Sequence, residues 1–361
     1  MFRFVVVACC LPPLLFGACA PLAADGPRGA DPALAVAAPR VANAHVANAP
    51  VVNAHVANAP VVNAPVANHA RQPTLPVDRD DAPLPASLRK VLETPGGVDV
   101  LLLGEIHDHP MHHRLRARWL GELSGQGRFV LAIEQLDADR QPALDEARRE
   151  AQRTQEAAGG AAGSATDRVP VVAQSADPAL RIAQAAGFDS RGWHWPFYAP
   201  YVELALRRGL PLVAANLSNE QARRIARGEP HPLAGVLPPG WGATERAAMA
   251  AEIRDGHCGM LPESAIVPMA AAQVARDAQM ARALVEAHRA SGLPVVLLAG
   301  NGHVRADLGV PRHLAGLMPG ARVLSVGFVE PGGPLPAFDL AVLTPVHPRP
   351  DPCEAMRRSM R

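Results

Sequence analysis

The chain has 361 residues, 48% of them hydrophobic and only 4% aromatic, with a formal net charge of +1. That length allows one large domain or two smaller ones with tails, and the apolar share is enough for a substantial core. A charge so close to zero argues against electrostatic capture of nucleic acid, so no nucleic-acid partner is expected.

The first residues, MFRFVVVACCLPPLLFGAC, have the pattern of an export signal: a cationic Arg3, a short apolar region, then small Gly17 and Ala18. The run LFGAC resembles a bacterial lipobox. Residues 1–18 are therefore expected to be a lipoprotein signal peptide, with Cys19 the lipidated mature N-terminus. The apolar run is short and broken by Pro12 and Pro13, which suits a membrane span poorly. Lipid on Cys19 would hold an otherwise soluble domain at a membrane surface. Ala20 after the cysteine favours the outer membrane of a bacterial envelope. Cys258 and Cys353 can pair, but one distant pair implies no disulfide framework.

Residues 19–84 read as a low-complexity tether. Between 41 and 70 a five-residue unit of Val, Ala, Asn and Pro or His repeats. Its prolines forbid a continuous helix, and it lacks large apolar groups to bury. His45, His55 and His69 fit repeat expansion better than a ligand role.

The folded domain is expected over 85–345. Apolar, β-rich runs stand at 98–105, 128–135, 210–217, 293–303, 321–329 and 338–345. They are apolar on both alternating faces, as buried parallel strands are. Helical segments are expected at 110–124, 142–157, 197–208, 218–227, 243–254 and 264–290. This order predicts an α/β fold, a mostly parallel sheet flanked by helices. Because 140–290 holds only one clear strand, a smaller helical subdomain is expected roughly there. Residues 346–361 read as a disordered tail.

Two strand ends share one design. The first apolar run passes into Gly104-Glu105-Ile106-His107, and the run at 293–303 into Gly300-Asn301-Gly302-His303. Ligands of open parallel sheets bind beyond the carboxyl ends of the strands. If the two strands are neighbours, Glu105, His107 and His303 converge, and Glu134 ends a third strand beside them. Two imidazoles with carboxylates can ligate a divalent metal or act as a general base with its orienting partner. His109, His112 and His113 sit where Pro110 starts a helix, and are expected to be solvated there. The sequence contains no HExxH motif.

A third feature is GWHWPFYAPYVELAL (192–206), which holds both tyrosines of the chain. Tyr198 and Tyr201 are helical i,i+3 neighbours. The segment is either an aromatic packing contact or an apolar slot for a planar ligand with a tyrosine handle, and tyrosine is a known haem-iron ligand.

Together these motifs resemble the ChaN family of haem-binding lipoproteins, in the Tiki and erythromycin-esterase-like superfamily. The resemblance spans roughly 85–345. It rests on LLLGEIHDHPMHH, the tyrosine segment, HCGMLPE (257–263), QVARDAQMA (273–281) and AGNGHVRADLGVP (299–311). It implies haem bound at a pocket shared between subunits, so a homodimer around haem, with a haem receptor as a further partner. Tyr198 falls at the position expected for the haem-iron ligand. Tyr201 is the second candidate, and Trp195 and His303 are candidate haem contacts. The implied function is haem and iron acquisition by a membrane-anchored lipoprotein. The alternative is a hydrolase, a peptidase or esterase, with catalytic candidates Glu105, His107 and His303, and with His107 and His303 holding any divalent metal.

Overall fold

The computed structural model describes residues 72–93, 97–161, 177–332 and 335–359. The expected signal peptide, Cys19 and nearly all of the tether lie outside them. Strands are β1 (Thr74–Pro76), β2 (Val100–Leu103), β3 (Val130–Asp137), β4 (Leu212–Asn216), β5 (Val295–Leu298), β6 (Val323–Val329) and β7 (Leu340–Leu343). The helices before β5 are α1 (Ala86–Glu93), α2 (Pro110–Ser124), α3 (Gln141–Ala161), α4 (Pro178–Ala185), α5 (Trp195–Arg208), α6 (Asn219–Ala226), α7 (Ala243–Gly256) and α8 (Glu263–Ser291). After it come α9 (Asn301–Val304), α10 (Val310–Leu317) and α11 (Pro352–Ser359).

The seven strands form one sheet in the order β1-β7-β6-β2-β5-β3-β4, and every pairing is parallel. The fold is α/β. Side chains of successive strand residues point to opposite faces, and both faces are covered. Leu101 and Leu103 of β2, with Leu131 and Ile133 of β3, join the core under α2 and α5, where Leu115, Trp119, Leu120 and Val202 lie. Val100, Leu102, Val130 and Ala132 join the opposite core with Met280, Ala281 and Leu284 of α8 and Leu314 of α10. Each fully buried leucine of this kind contributes about 1.5–3 kcal/mol.

The helices between 140 and 290 were expected to form a smaller subdomain. They fall in one compact unit with the sheet and lean on it. The reason is α8: its Met280, Ala281 and Leu284 lie on the sheet, while Ala275 and Ala278 pack on Leu217, Ile225 and Leu233. The helix stops at Gly292, which adopts φ +66, a left-handed conformation that glycine takes without a side-chain penalty.

The tail also differs from expectation. Its residues Pro352–Ser359 form α11, and Cys353 is bonded to Cys258 at the end of α7, with Cα atoms 5.6 Å apart. A covalent bridge of this kind orders a short charged helix that has little apolar surface of its own.

Candidate functional site

Adjacency of β2, β5 and β3 brings three strand ends to one edge. Leu103 pairs with Leu298, and Leu298 with Ile133. Glu105 and Gly300 lie two residues beyond the ends of that pairing and Glu134 one residue beyond Ile133, still inside β3, so the three emerge side by side. The Asn301 N–H donates to the Glu105 carbonyl (2.9 Å), which starts α9 and sets His303 over the same edge.

Glu105 is the hub of the first half. Its side chain and that of Arg116 are both fully buried, and Arg116 Nη2 forms an ion pair with Glu105 Oε2. Oε1 accepts from the Tyr198 hydroxyl (3.1 Å) and from His107 Nδ1 (2.8 Å). Arg116 also donates to the Leu103 carbonyl (3.1 Å), fastening α2 to the end of β2. A buried carboxylate is retained when paired and hydrogen-bonded on every side, as here. His113 Nε2 donates to the His107 carbonyl (2.9 Å), and the Tyr201 hydroxyl donates to the His113 carbonyl (3.1 Å).

His107 is the member nearest solvent, with 11% of its side chain exposed. Burial lowers its pKa, against the opposing pull of Glu134. The neutral ring gives its Nδ1 hydrogen to Glu105, which leaves the Nε2 lone pair free to face the site. That edge lies over Gly300: a Cβ there would stand 2.7 Å from both Cε1 and Nε2 of His107. Glycine at 300 is therefore required by close approach.

His303 anchors the second half. Nδ1 donates to Asp277 Oδ1 (2.6 Å), and Nε2 lies 3.5 Å from Glu134 Oε1. Burial opposes the charge of His303, but Glu134 and Asp277 raise its pKa to about 10, so it is an imidazolium at neutral pH. Burial would raise Glu134 as well, yet His303, His107 and the Gly300 N–H, 2.6 Å from Oε2, hold it at about 2. Burial pushes Asp277 up to about 6 against the pull of His303. The Gln273 amide lies 3.2 Å from both ring nitrogens of His303.

The aromatic segment covers this edge. Pro196 opens α5 in its first turn, and Gly209 at φ +61 closes it. Tyr198 and Tyr201 are buried, at 1% and 0% exposure. Burial raises both phenols, Tyr198 well above the ordinary tyrosine value. Trp193, Trp195 and Phe197 are half-buried and Pro196 and His194 exposed, so an aromatic rim stands over Tyr198. Trp193 sits edge-on to His107 (ring centroids 4.8 Å) and to Tyr198 (5.8 Å). Phe197 stacks on His113 at 4.4 Å. Trp195 donates its indole N–H to Asp177 (2.9 Å), which fixes the start of α5 against α4.

The expected convergence of Glu105, His107, Glu134 and His303 is thus present in the structure, and Tyr198 joins it through Glu105. Two expectations change. His109, His112 and His113 are buried, not solvated, because α2 turns its first turn inward. His109 and His112 stack at 3.8 Å, and His112 bonds Thr344 (2.7 Å). The second concerns a divalent metal on His107 and His303: both nitrogens of His303 face carboxylates, and among the described residues no group of three or more His, Cys, Asp and Glu has metal-holding geometry.

Arg116, His113 and Asp277 complete the network and were not singled out as site residues by the sequence. An arginine and an aspartate within otherwise apolar helical faces were the available signals.

An all-parallel α/β sheet with two carboxylate–imidazole pairs at its carboxyl edge, roofed by an aromatic helix start, defines the class. The sequence model of the family described as haem-binding uptake, Tiki superfamily, ChaN matches residues 91–314, and the chain belongs to that family. ChaN of Campylobacter jejuni, which binds haem cofacially, has a similar fold: 22% identity over 70% of this chain and 89% of that one, with a TM-score of 0.55. An erythromycin esterase mutant in its open conformation matches at 12% identity over 68% of this chain and 72% of that one, with a TM-score of 0.37. No curated protein matches the chain.

Proposed function

We propose that this protein is a lipid-anchored haem-binding protein of the bacterial cell envelope, working in haem and iron acquisition, with the Tyr198 phenolate as the haem-iron ligand. The observation that carries this reading is the half-buried rim of Trp193, Trp195 and Phe197 over Tyr198, in a chain of the haem-binding uptake family. Flat apolar side chains match the porphyrin face and exclude water from it. Bound haem would supply a ferric iron that favours an anionic oxygen ligand. The protein's own part is to hold a phenol whose proton already points at a carboxylate. Burial keeps that phenol protonated. Ligation therefore couples to uncovering Tyr198, with its phenol proton passing to the Glu105 carboxylate that already accepts it.

Lipidation at Cys19 and an outer-membrane site remain part of the same proposal, as do a homodimer around haem and a haem receptor. The Cys258–Cys353 disulfide favours an oxidising compartment such as the envelope. Among the described residues, no helix is long and apolar enough to cross a membrane.

One observation favours a second reading, a Glu/His-dependent hydrolase. Glu105 orients a neutral His107 whose Nε2 faces the site, as a general base requires. His303, an imidazolium held between Glu134 and Asp277, would then supply fixed positive charge beside the site.

Titrating the purified protein with hemin tests the first reading. A saturable Soret shift supports it. Absence of saturable binding, with esterase or peptidase turnover lost in His107→Ala, would transfer support to the second.

A further inference from the structure

The buried position of Tyr198 raises the question of what an arriving haem meets first. Both phenols are closed off, at 1% and 0% exposure, and both donate inward, Tyr198 to Glu105 and Tyr201 to the His113 carbonyl. His107 has only 11% of its side chain exposed, and its Nε2 edge lies over Gly300 on the floor of the site. His194 differs from all of these. It is exposed, occupies the cap position of α5 and makes no side-chain cap to the helix. Its ring leans edge-on against Phe197, with centroids 4.6 Å apart. Half-buried Trp193 directly precedes it, and the half-buried ring of Phe197 provides apolar surface beside the imidazole. Three residues upstream, Arg191 has 96% of its side chain exposed, with only a 3.5 Å surface contact to Asp189. Imidazole ligates haem iron readily, and guanidinium pairs with carboxylates such as the haem propionates.

Resting on the haem-binding reading above, we propose that Arg191, Trp193, His194 and Phe197 form a surface capture site for haem, in which the His194 imidazole ligates the iron before Tyr198 is uncovered. The donor set is graded by depth. An exposed imidazole, with no hydrogen bond to break, takes the iron first. The buried phenol, tied to Glu105, takes it once the rim opens. A neutral and an anionic ligand at different depths give uptake a direction.

Stopped-flow mixing of hemin with the full protein tests this, following the Soret band. Wild type is expected to show a fast phase followed by a slower one. His194→Ala should slow the fast phase by about tenfold or more, as should Arg191→Glu to a smaller degree. Tyr198→Phe should keep the fast phase with an imidazole-type spectrum and lose the slow one. A His194→Ala protein with both wild-type phases would overturn the capture site while leaving haem binding intact. So would loss of the fast phase in His107→Ala but not in His194→Ala. Wild type that takes up no hemin would fail the underlying reading instead. His194→Ala changes an exposed side chain, so its folding is not in question.

Discussion

Replacing Arg116 by methionine tests whether the buried Glu105 network is organised as described. Both charged side chains of the pair are fully buried, and Arg116 is the cation that neutralises Glu105. Methionine keeps much of the volume but leaves the carboxylate with only the Tyr198, His107 and His113 side chains around it. Removing one partner of a buried pair costs about 3–5 kcal/mol, because the remaining charge is left uncompensated. For a domain of this size, that corresponds to a fall in Tm of roughly 5–9 °C. The double variant Arg116→Met/Glu105→Gln removes the stranded charge and should recover most of the loss. The gap between wild type and Arg116→Met should also narrow in acid, as the unpaired carboxylate is protonated. Urea unfolding of the three proteins, followed by circular dichroism between pH 4 and 8, reads all of this. A single variant that loses less than about 1 kcal/mol, or a double variant no better than the single, would refute the reasoning.

Gly300→Ala should displace the His107 ring, since its Cβ would stand 2.7 Å from Cε1 and Nε2; overpacking of this kind costs about 1–3 kcal/mol by urea unfolding. His303 has a folded pKa of about 10, above its ordinary 6.5, so the stability it contributes is complete below pH 6.5 and lost as pH rises to 10. Wild-type unfolding free energy should fall over that interval, and the fall should be absent in His303→Asn. The disulfide closes a separation of 95 residues. Cys353→Ser should cost about 2–4 kcal/mol, near the limit of about 4.7 kcal/mol set by loop-closure entropy, and reduction of wild type should lower Tm similarly.

The strands from β2 onward were legible because each is apolar on both faces and bounded by turn signals. The shared Gly-x-x-His design then indicated convergence, since parallel neighbours emerge on one edge of a sheet. β1 was not legible: it is a three-residue edge strand containing Pro76, with no hydrophobic run to announce it. The Cys258–Cys353 pairing needed a three-dimensional constraint that spacing does not carry. Arg116 and Asp277 were hidden for a different reason. A charged residue in a helix ordinarily reads as solvent-facing, and only the rotation of α2 and α8 against the sheet turns these two inward. The same rotation buries His109, His112 and His113, whose clustering beside a helix start resembled a solvated turn.

The central claim, a haem iron held by a tyrosinate, is tested most directly by resonance Raman spectroscopy of the ferric hemin complex with excitation in the tyrosinate-to-iron charge-transfer band. The account predicts tyrosinate ring modes in wild type that vanish in Tyr198→Phe and persist in Tyr201→Phe. A wild-type complex without those modes, or a Tyr198→Phe complex that keeps them, would contradict it.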